Sequence, residues 1–324
     1  MKYIEVARFG GPEQLQLHEE PTPAPGSGEV LIEVKASGIN FADLVAVAGH
    51  YPPFPSAPFR PGVEVAGTVA AVGEGVQNLQ IGQRVMSMMR GTGGGYASHA
   101  VVGAKGVVPL PDALDFAPAT ALFVQGLTAY FLLERGELQA GDTVLISSAA
   151  GGLGSLAVQI AKLKGAGKVI GLASPSKHQK VRALGADEVF DYTQSGWSKL
   201  VLDATGGKGA DIYLDSQGDP GGEGLAALAD GARWMVFGGQ AGGGGGTMDS
   251  AGFMTLLFRS ISIRGYSLYA DLDKIGRALP ELIGWVSEGK LKIEADDRFA
   301  LSDAARAHEA IANRKTSGKV VLEP

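Results

Sequence analysis

Cysteine is absent from the 324 residues. That absence excludes disulfides, thiolate zinc sites, iron–sulfur clusters and a cysteine nucleophile together. A chain without disulfides suits a reducing compartment, and a cytoplasmic location is the expectation. Histidine is scarce, and the five residues at positions 18, 50, 99, 178 and 308 form no short ligand spacing. Basic residues are not in excess: 28 Lys and Arg stand against 34 Asp and Glu, a net charge of −6. No nucleic-acid footprint is therefore expected. No apolar run reaches the roughly 18 residues a membrane helix needs. Met1-Lys2-Tyr3-Ile4-Glu5 carries no apolar signal core, so export is not expected. No G-x-S-x-G elbow occurs, which leaves acyl transfer without support.

What is present is a globular composition, 45% hydrophobic and 19% charged, with length enough for two domains. Glycine is the excess residue, at 49 of 324, about twice the usual share. The glycines are not periodic. They mark tight turns and places where backbone lies close to something, which points to a ligand held by main chain.

The first 120 residues read as mostly β, with strands at Val30–Ala36, Val63–Gly73 (bent at Gly67), Ile81–Met86 and Ala97–Val102. Short strands with Gly and Pro punctuation indicate a barrel or sandwich. Pro52, Pro53, Pro55, Pro58 and Pro61 form a stiff loop that cannot be a central strand. After Phe116 the pattern changes. Pro118 to Leu133 is apolar with helical spacing. Strands at Thr143–Ser147, Lys168–Leu172, Glu188–Phe190, Ala210–Asp215 and Arg233–Phe237 then alternate with helical stretches near Gly152–Lys164, Lys177–Leu184 and Gly222–Ala229. Such alternation with apolar strands predicts a doubly wound parallel sheet covered on both faces. Gly242 to Gly246 is a run with no intrinsic structure. Helices near Leu272–Glu288 and Ser302–Asn313 and a strand at Lys319–Leu322 close the chain. The expected division is a β-rich domain of residues 1–122 and 265–324, interrupted by a doubly wound domain of residues 123–264.

Ala149-Ala150-Gly151-Gly152-Leu153-Gly154 follows the strand Thr143–Ser147 and opens an apolar helix. Aligned on G-x-G-x-x-G, positions 149, 151 and 154 carry Ala, Gly and Gly. Gly151 lets backbone approach a pyrophosphate, and Gly154 lets the helix pack close to the strand. The helix N-terminus offers free N–H groups and partial positive charge. A dinucleotide site selective for NAD places an acid about 20 residues on, at the end of the second strand. Gly171-Leu172-Ala173-Ser174-Pro175-Ser176-Lys177 stands there instead, and the next acid is Asp187. Ser174 and Lys177 offer a hydroxyl and a cation, which suit a 2′-phosphate. NADPH is thus favoured over NADH.

At these residues the sequence resembles the zinc-independent, zeta-crystallin-like quinone oxidoreductases of the medium-chain dehydrogenase/reductase superfamily. The resemblance runs through Gly10–Glu13, Gly38–Asp43, Gly49–Pro52, Pro61–Gly67, Gly126–Ala129, Ala149–Gly154, Asn313-Arg314 and Gly318–Val320. It implies a GroES-like catalytic domain and a Rossmann domain, an NADPH site in the cleft between them, and a homodimer. Residue by residue, Ala150, Gly151, Gly152, Leu153 and Gly154 match the phosphate loop. Ser174, Lys177 and Tyr192 match positions that hold the adenosine end and its 2′-phosphate, and Arg314 matches a C-terminal arginine reaching the same phosphate. Asn40, Thr128 and Tyr51 match positions around nicotinamide and substrate, and Phe237-Gly238-Gly239 the segment under the nicotinamide. Val45 and the five-glycine run depart from the family pattern.

Zinc enzymes of this superfamily need thiolates and a ligand His in Gly-His-Glu; here that position is Val63. Hydride transfer asks little of a protein beyond orienting the cofactor and excluding water. Asn40 and Tyr51 are the hydrogen-bonding groups for the oxygen of a small planar carbonyl substrate, or else loop-fixing and proline-packing residues. An enoyl-thioester reductase and an NADPH-binding protein with little catalysis stay open as alternatives.

Overall fold

In the computed structural model, which describes residues 1–50, 56–89, 93–219, 222–239 and 247–324, strands β1 (Lys2–Val6) and β2 (Leu15–Glu19) pair antiparallel as a short ribbon. The eleven-residue strand β3 (Glu29–Ile39) is the axis of the sheet that follows. It pairs antiparallel with β4 (Glu64–Val72), which pairs with β5 (Arg84–Met88). Strand β6 (His99–Gly103) lies along the first half of β3, and β7 (Val107–Pro109) pairs with β5. Val30, Ile32 and Val34 alternate along β3 and meet Val65, Val69, Val85, Ala100 and Val102 in one buried cluster, as the two-residue period of a half-buried strand requires. Register shifts bend β3 against β4 near Gly67. A Cβ at Gly67 would lie 2.9 Å from the carbonyl carbon of Glu33, so only glycine lets the strands close there. The β-rich expectation therefore holds, and β4 keeps the predicted bend.

Helix α1 (Phe41–Val47) leaves the end of β3 directly. Helix α2 (Phe116–Thr120) is followed by a π turn, Leu122–Gly126, and then α3 (Leu127–Arg135). The single helix expected over Pro118–Leu133 is thus broken by a wide turn. Periodicity does not register the extra residue that a π turn inserts.

Next come β8 (Thr143–Ile146), α4 (Gly152–Leu163), β9 (Lys168–Leu172), α5 (His178–Ala183), β10 (Glu188–Phe190), α6 (Trp197–Ala204), β11 (Ala210–Asp215), β12 (Leu228–Val236), α7 (Ser250–Phe258), β13 (Ser262–Gly265) and α8 (Ile275–Ser287). The strands form one parallel sheet in the order β10-β9-β8-β11-β12-β13. This is the doubly wound order, with its switch point between β8 and β11. The helix expected at Gly222–Ala229 is instead a single turn, Leu225–Ala227, running straight into β12. Buried Leu228 and Ala229 pack as strand residues, and a short apolar run does not distinguish the two states. The chain then returns to the first sheet with β14 (Asp297–Ala300), α9 (Ala304–Ala312) and β15 (Val320–Glu323), which pairs with β3.

The compact units are Met1–Gln125 with Ile293–Pro324, and Gly126–Lys292. The second division falls at residue 292 rather than 264 because α8 packs on α3. Tyr130 donates to Glu281 at 2.6 Å, Arg277 grips Glu134 with two hydrogen bonds, and Trp285 lies against the Tyr130 ring. Among the described residues no helix is long and apolar enough to cross a membrane.

Candidate active site

In the second unit the nucleotide residues expected from sequence, Thr128 apart, fall just past the C-terminal ends of parallel strands, where α/β sheets bind ligands. Gly151 is the N-cap of α4, with φ −78° and no side-chain cap, and no acid stands in the first turn. The first N–H groups of α4 are therefore left for an external anion. Gly151 does not adopt a conformation reserved for glycine, so its value lies in the absent side chain. Gly154 differs. A Cβ there would lie 2.8 Å from the Cα of Ala149, so glycine lets α4 lie close against the turn that follows β8. The positive φ of the turn belongs to Ser148, at 50°.

Ser174 follows β9 and precedes a single turn, Pro175–Lys177, which the Lys177 N–H closes on the Ser174 carbonyl at 2.9 Å. β9 is the neighbour of β8, and the Ala149 N–H bonds to Leu172 O at 3.0 Å, so the phosphate loop and Ser174 share one edge of the sheet. Tyr192 follows β10, the next strand out, half-buried against the sheet core. A hydroxyl, an ammonium and an aromatic ring are thus set beside the loop, a donor set that fits a phosphorylated ribose and its base.

At the switch point sequence reasoning missed a hydroxyl chain. Ser147 Oγ and Ser148 Oγ each lie 2.9 Å from Ser216 Oγ, and the Gln217 side chain donates to Ser216 at 3.0 Å. The signal was a pair of serines at the end of β8 and another just past β11. Phe237 donates its N–H to Asp215 O at 3.0 Å, and a Cβ at Gly238 would lie 2.5 Å from Ser216 O. Phe237-Gly238 therefore runs tight along the same rim. Thr128 lies buried in the first turn of α3.

In the first unit Asn40 caps α1 and is 4% exposed. Its Nδ2 donates to Glu64 Oε1 at 2.8 Å, and its Oδ1 accepts from Lys319 Nζ at 3.2 Å. Lys319 also bonds to Ile39 O at 3.1 Å and makes a short ion pair with Glu64; neither side chain is exposed. Glu64 Oε2 accepts the Val124 N–H at 3.1 Å, inside the π turn. Asp43 Oδ2 accepts the Asn40 N–H at 2.8 Å and the Tyr96 hydroxyl at 3.2 Å. Burial, reinforced by the charge of Glu64, pushes the Asp43 carboxyl up to about 7. Arg314 follows α9 with a left-handed φ of 57°. Asn40 and Arg314 thus belong to the first unit, and the other described site residues to the second. Tyr51, the five-glycine run and most of the proline loop lie outside the described residues. Among the described residues no three His, Asp or Glu side chains are grouped to hold a metal.

Comparison with known proteins matches residues 26–112 to an alcohol dehydrogenase GroES-like domain and residues 184–322 to the family model described as zinc-binding dehydrogenase. A quinone oxidoreductase of Pseudomonas aeruginosa is 36% identical over 328 residues, covering 100% of this chain and 99% of that one. Quinone oxidoreductase 1 of Escherichia coli is 34% identical, covering 99% of each. Among solved structures, Escherichia coli quinone oxidoreductase complexed with NADPH superposes with a TM-score of 0.90 at 34% identity, over 100% of both chains. CurK enoyl reductase superposes at 0.85 with 28% identity, over 99% of this chain and 98% of that one.

Proposed function

Because the chain belongs to the quinone oxidoreductases of the medium-chain dehydrogenase/reductase superfamily, we propose that it reduces a small planar quinone or conjugated enone with NADPH, without zinc. The observation that carries the reading is the start of α4: an uncapped helix N-terminus, free of acidic residues, at the end of β8 beside the switch point. When bound, NADPH supplies the hydride, and the acceptor takes up one proton with it. The N–H groups of Gly152, Leu153 and Gly154 face the pyrophosphate, and Ala150 and Gly151 leave it room. Ser174, Lys177, Tyr192 and Arg314 hold the adenosine end. Phe237 and Gly238 support the nicotinamide, and Thr128 and Asn40 orient it. Tyr51 donates to the substrate oxygen.

Zinc independence rests on the donor set. The chain has no cysteine, Val63 replaces a ligand histidine, and the buried carboxylate of Glu64 is already matched by an internal ammonium. We also propose a homodimer in a reducing cytoplasm.

The test is NADPH oxidation by purified protein against quinones, enones and enoyl thioesters, with zinc measured by elemental analysis. Quinone or enone turnover that survives chelators, with no stoichiometric zinc, is the expected result. Brisk reduction of enoyl thioesters with quinones inert overturns the substrate class. About one zinc per chain, with activity lost on chelation, overturns the metal-free reading.

A further inference from the structure

We propose that the buried Glu64–Lys319 ion pair is a positioning device for hydride transfer, which holds the side-chain amide of Asn40 in one of its two flips. An asparagine amide has nearly the same shape either way round, so packing alone does not choose between them. Charge does. A carboxylate only accepts and an ammonium only donates. Glu64 Oε1 at 2.8 Å therefore faces Nδ2, and Lys319 Nζ at 3.2 Å faces Oδ1. Turning the amide over would set its oxygen against the carboxylate and its NH₂ against the ammonium, with neither ion exposed to solvent. Among the described residues Nδ2 has no second acceptor, and its other N–H points in a fixed direction, the one assigned to nicotinamide or substrate.

The pair has no other evident ligand-facing work. Lys319 spends its three protons on Glu64, Asn40 and Ile39 O. The second oxygen of Glu64 holds the Val124 N–H in the π turn that leads to Thr128. The same carboxylate thus holds both Asn40 and the start of the π turn at Val124, within the first unit. The backbone makes room for it: a Cβ at Gly38 would lie 2.6 Å from Cε of Lys319. A buried ion pair is a poor source of stability, because desolvation offsets most of the attraction, and fixing one arrangement among several is its better-attested use.

The inference rests on the reading that Asn40 contacts cofactor or substrate, and a double-mutant cycle separates the two. Lys319→Met alone leaves a bare buried carboxylate and endangers the fold, so the pair is removed as Glu64→Gln/Lys319→Met, which buries no net charge. Wild type, this double variant, Asn40→Ala and the triple variant are compared on whichever acceptor the wild type reduces fastest. The double variant should fold, bind NADPH within about threefold of wild type, and lose at least tenfold in kcat with little change in KM. With NADPH deuterated at the transferred position, its isotope effect on kcat should be larger than that of wild type. In the Asn40→Ala background the same double substitution should cost no further kcat. Losses that multiply, or a double variant as active as wild type, overturn the positioning role while the Asn40 reading stands. An unchanged kcat in Asn40→Ala overturns that reading and the positioning role with it, and a wild type inert on every acceptor overturns the proposed function itself.

Discussion

The hydroxyl of Tyr96 lies 3.1 Å from Nε2 of His308, a residue 212 positions further on. The same hydroxyl is 3.2 Å from Oδ2 of Asp43, so one buried phenol bridges an acid on α1 and a base on α9. Burial drives the two ends in opposite directions. It raises Asp43 to about 7 and lowers His308 to about 3, so each favours its neutral form.

Their effects on stability have opposite signs. Asp43 holds its proton more tightly folded than unfolded, so its contribution is full at acid pH and fades as pH rises from about 4 to about 7. His308 holds its proton less tightly when folded, so its contribution fades as pH falls from about 6.5 toward about 3. Across the overlap the two slopes oppose, each up to about 1.4 kcal/mol per pH unit. His308→Gln should therefore become less stable from pH 4 to 7 relative to wild type, and Asp43→Asn more stable. Urea unfolding of the three proteins over that range checks this. Parallel pH profiles would show that neither group titrates as its burial requires.

Lys177 should decide between the cofactors. A hydrogen bond to a charged group is worth about 1.5–3 kcal/mol, so Lys177→Ala should weaken NADPH binding roughly ten- to hundredfold. NADH binding should barely change. Fluorescence titration with both cofactors reads the difference, and equal losses would remove Lys177 from the 2′-phosphate site.

Two glycines of one loop should fail in different ways. A Cβ added at Gly151 meets only Ser148 O, at 3.2 Å, among the described residues, and φ is ordinary there, so Gly151→Val should fold and lose NADPH. At Gly154 the added carbon runs into the backbone of Ser148 and Ala149. Gly154→Val should lose about 1–3 kcal/mol or more of stability, the usual cost of overpacking. Thermal unfolding beside NADPH titration separates the two. A Gly151→Val protein that still binds NADPH would reduce the loop to a turn.

The architecture was legible because it rests on local period. Strands alternate, loops carry glycine, and Ala149–Gly154 sits where a doubly wound sheet needs it. The environment of Asn40 was not legible in the same way. Glu64 and Lys319 are 255 positions apart, and each reads as a stray charge in an apolar strand until the sheet pairs β15 with β3. Asp43, Tyr96 and His308 were hidden for the same reason. The π turn escaped because its helical spacing continues on both sides. The surplus glycine was the one available hint: Gly38 and Gly67 are small because other groups need their space.

The edge of the second sheet carries the last expectation. β13 has a neighbour on one side alone, β12, among the described residues. The preceding helix α7 exposes Phe253, Met254, Leu257 and Phe258, the last at 78%, and Ile263 of β13 is also exposed. Positions 253, 254, 257 and 258 share one helical face. Contiguous apolar surface beside an unpaired edge is a form that soluble proteins normally cover. A second copy offers the same edge and the same patch, so a two-fold pairing would satisfy both at once. The protein should therefore run as a dimer by light scattering at micromolar concentration. Leu257→Glu/Phe258→Glu should shift it toward the mass of one chain, with far-ultraviolet circular dichroism unchanged, since both side chains face solvent in the single chain. A wild-type mass of one chain, or a variant that stays dimeric, would move the interface elsewhere or remove it.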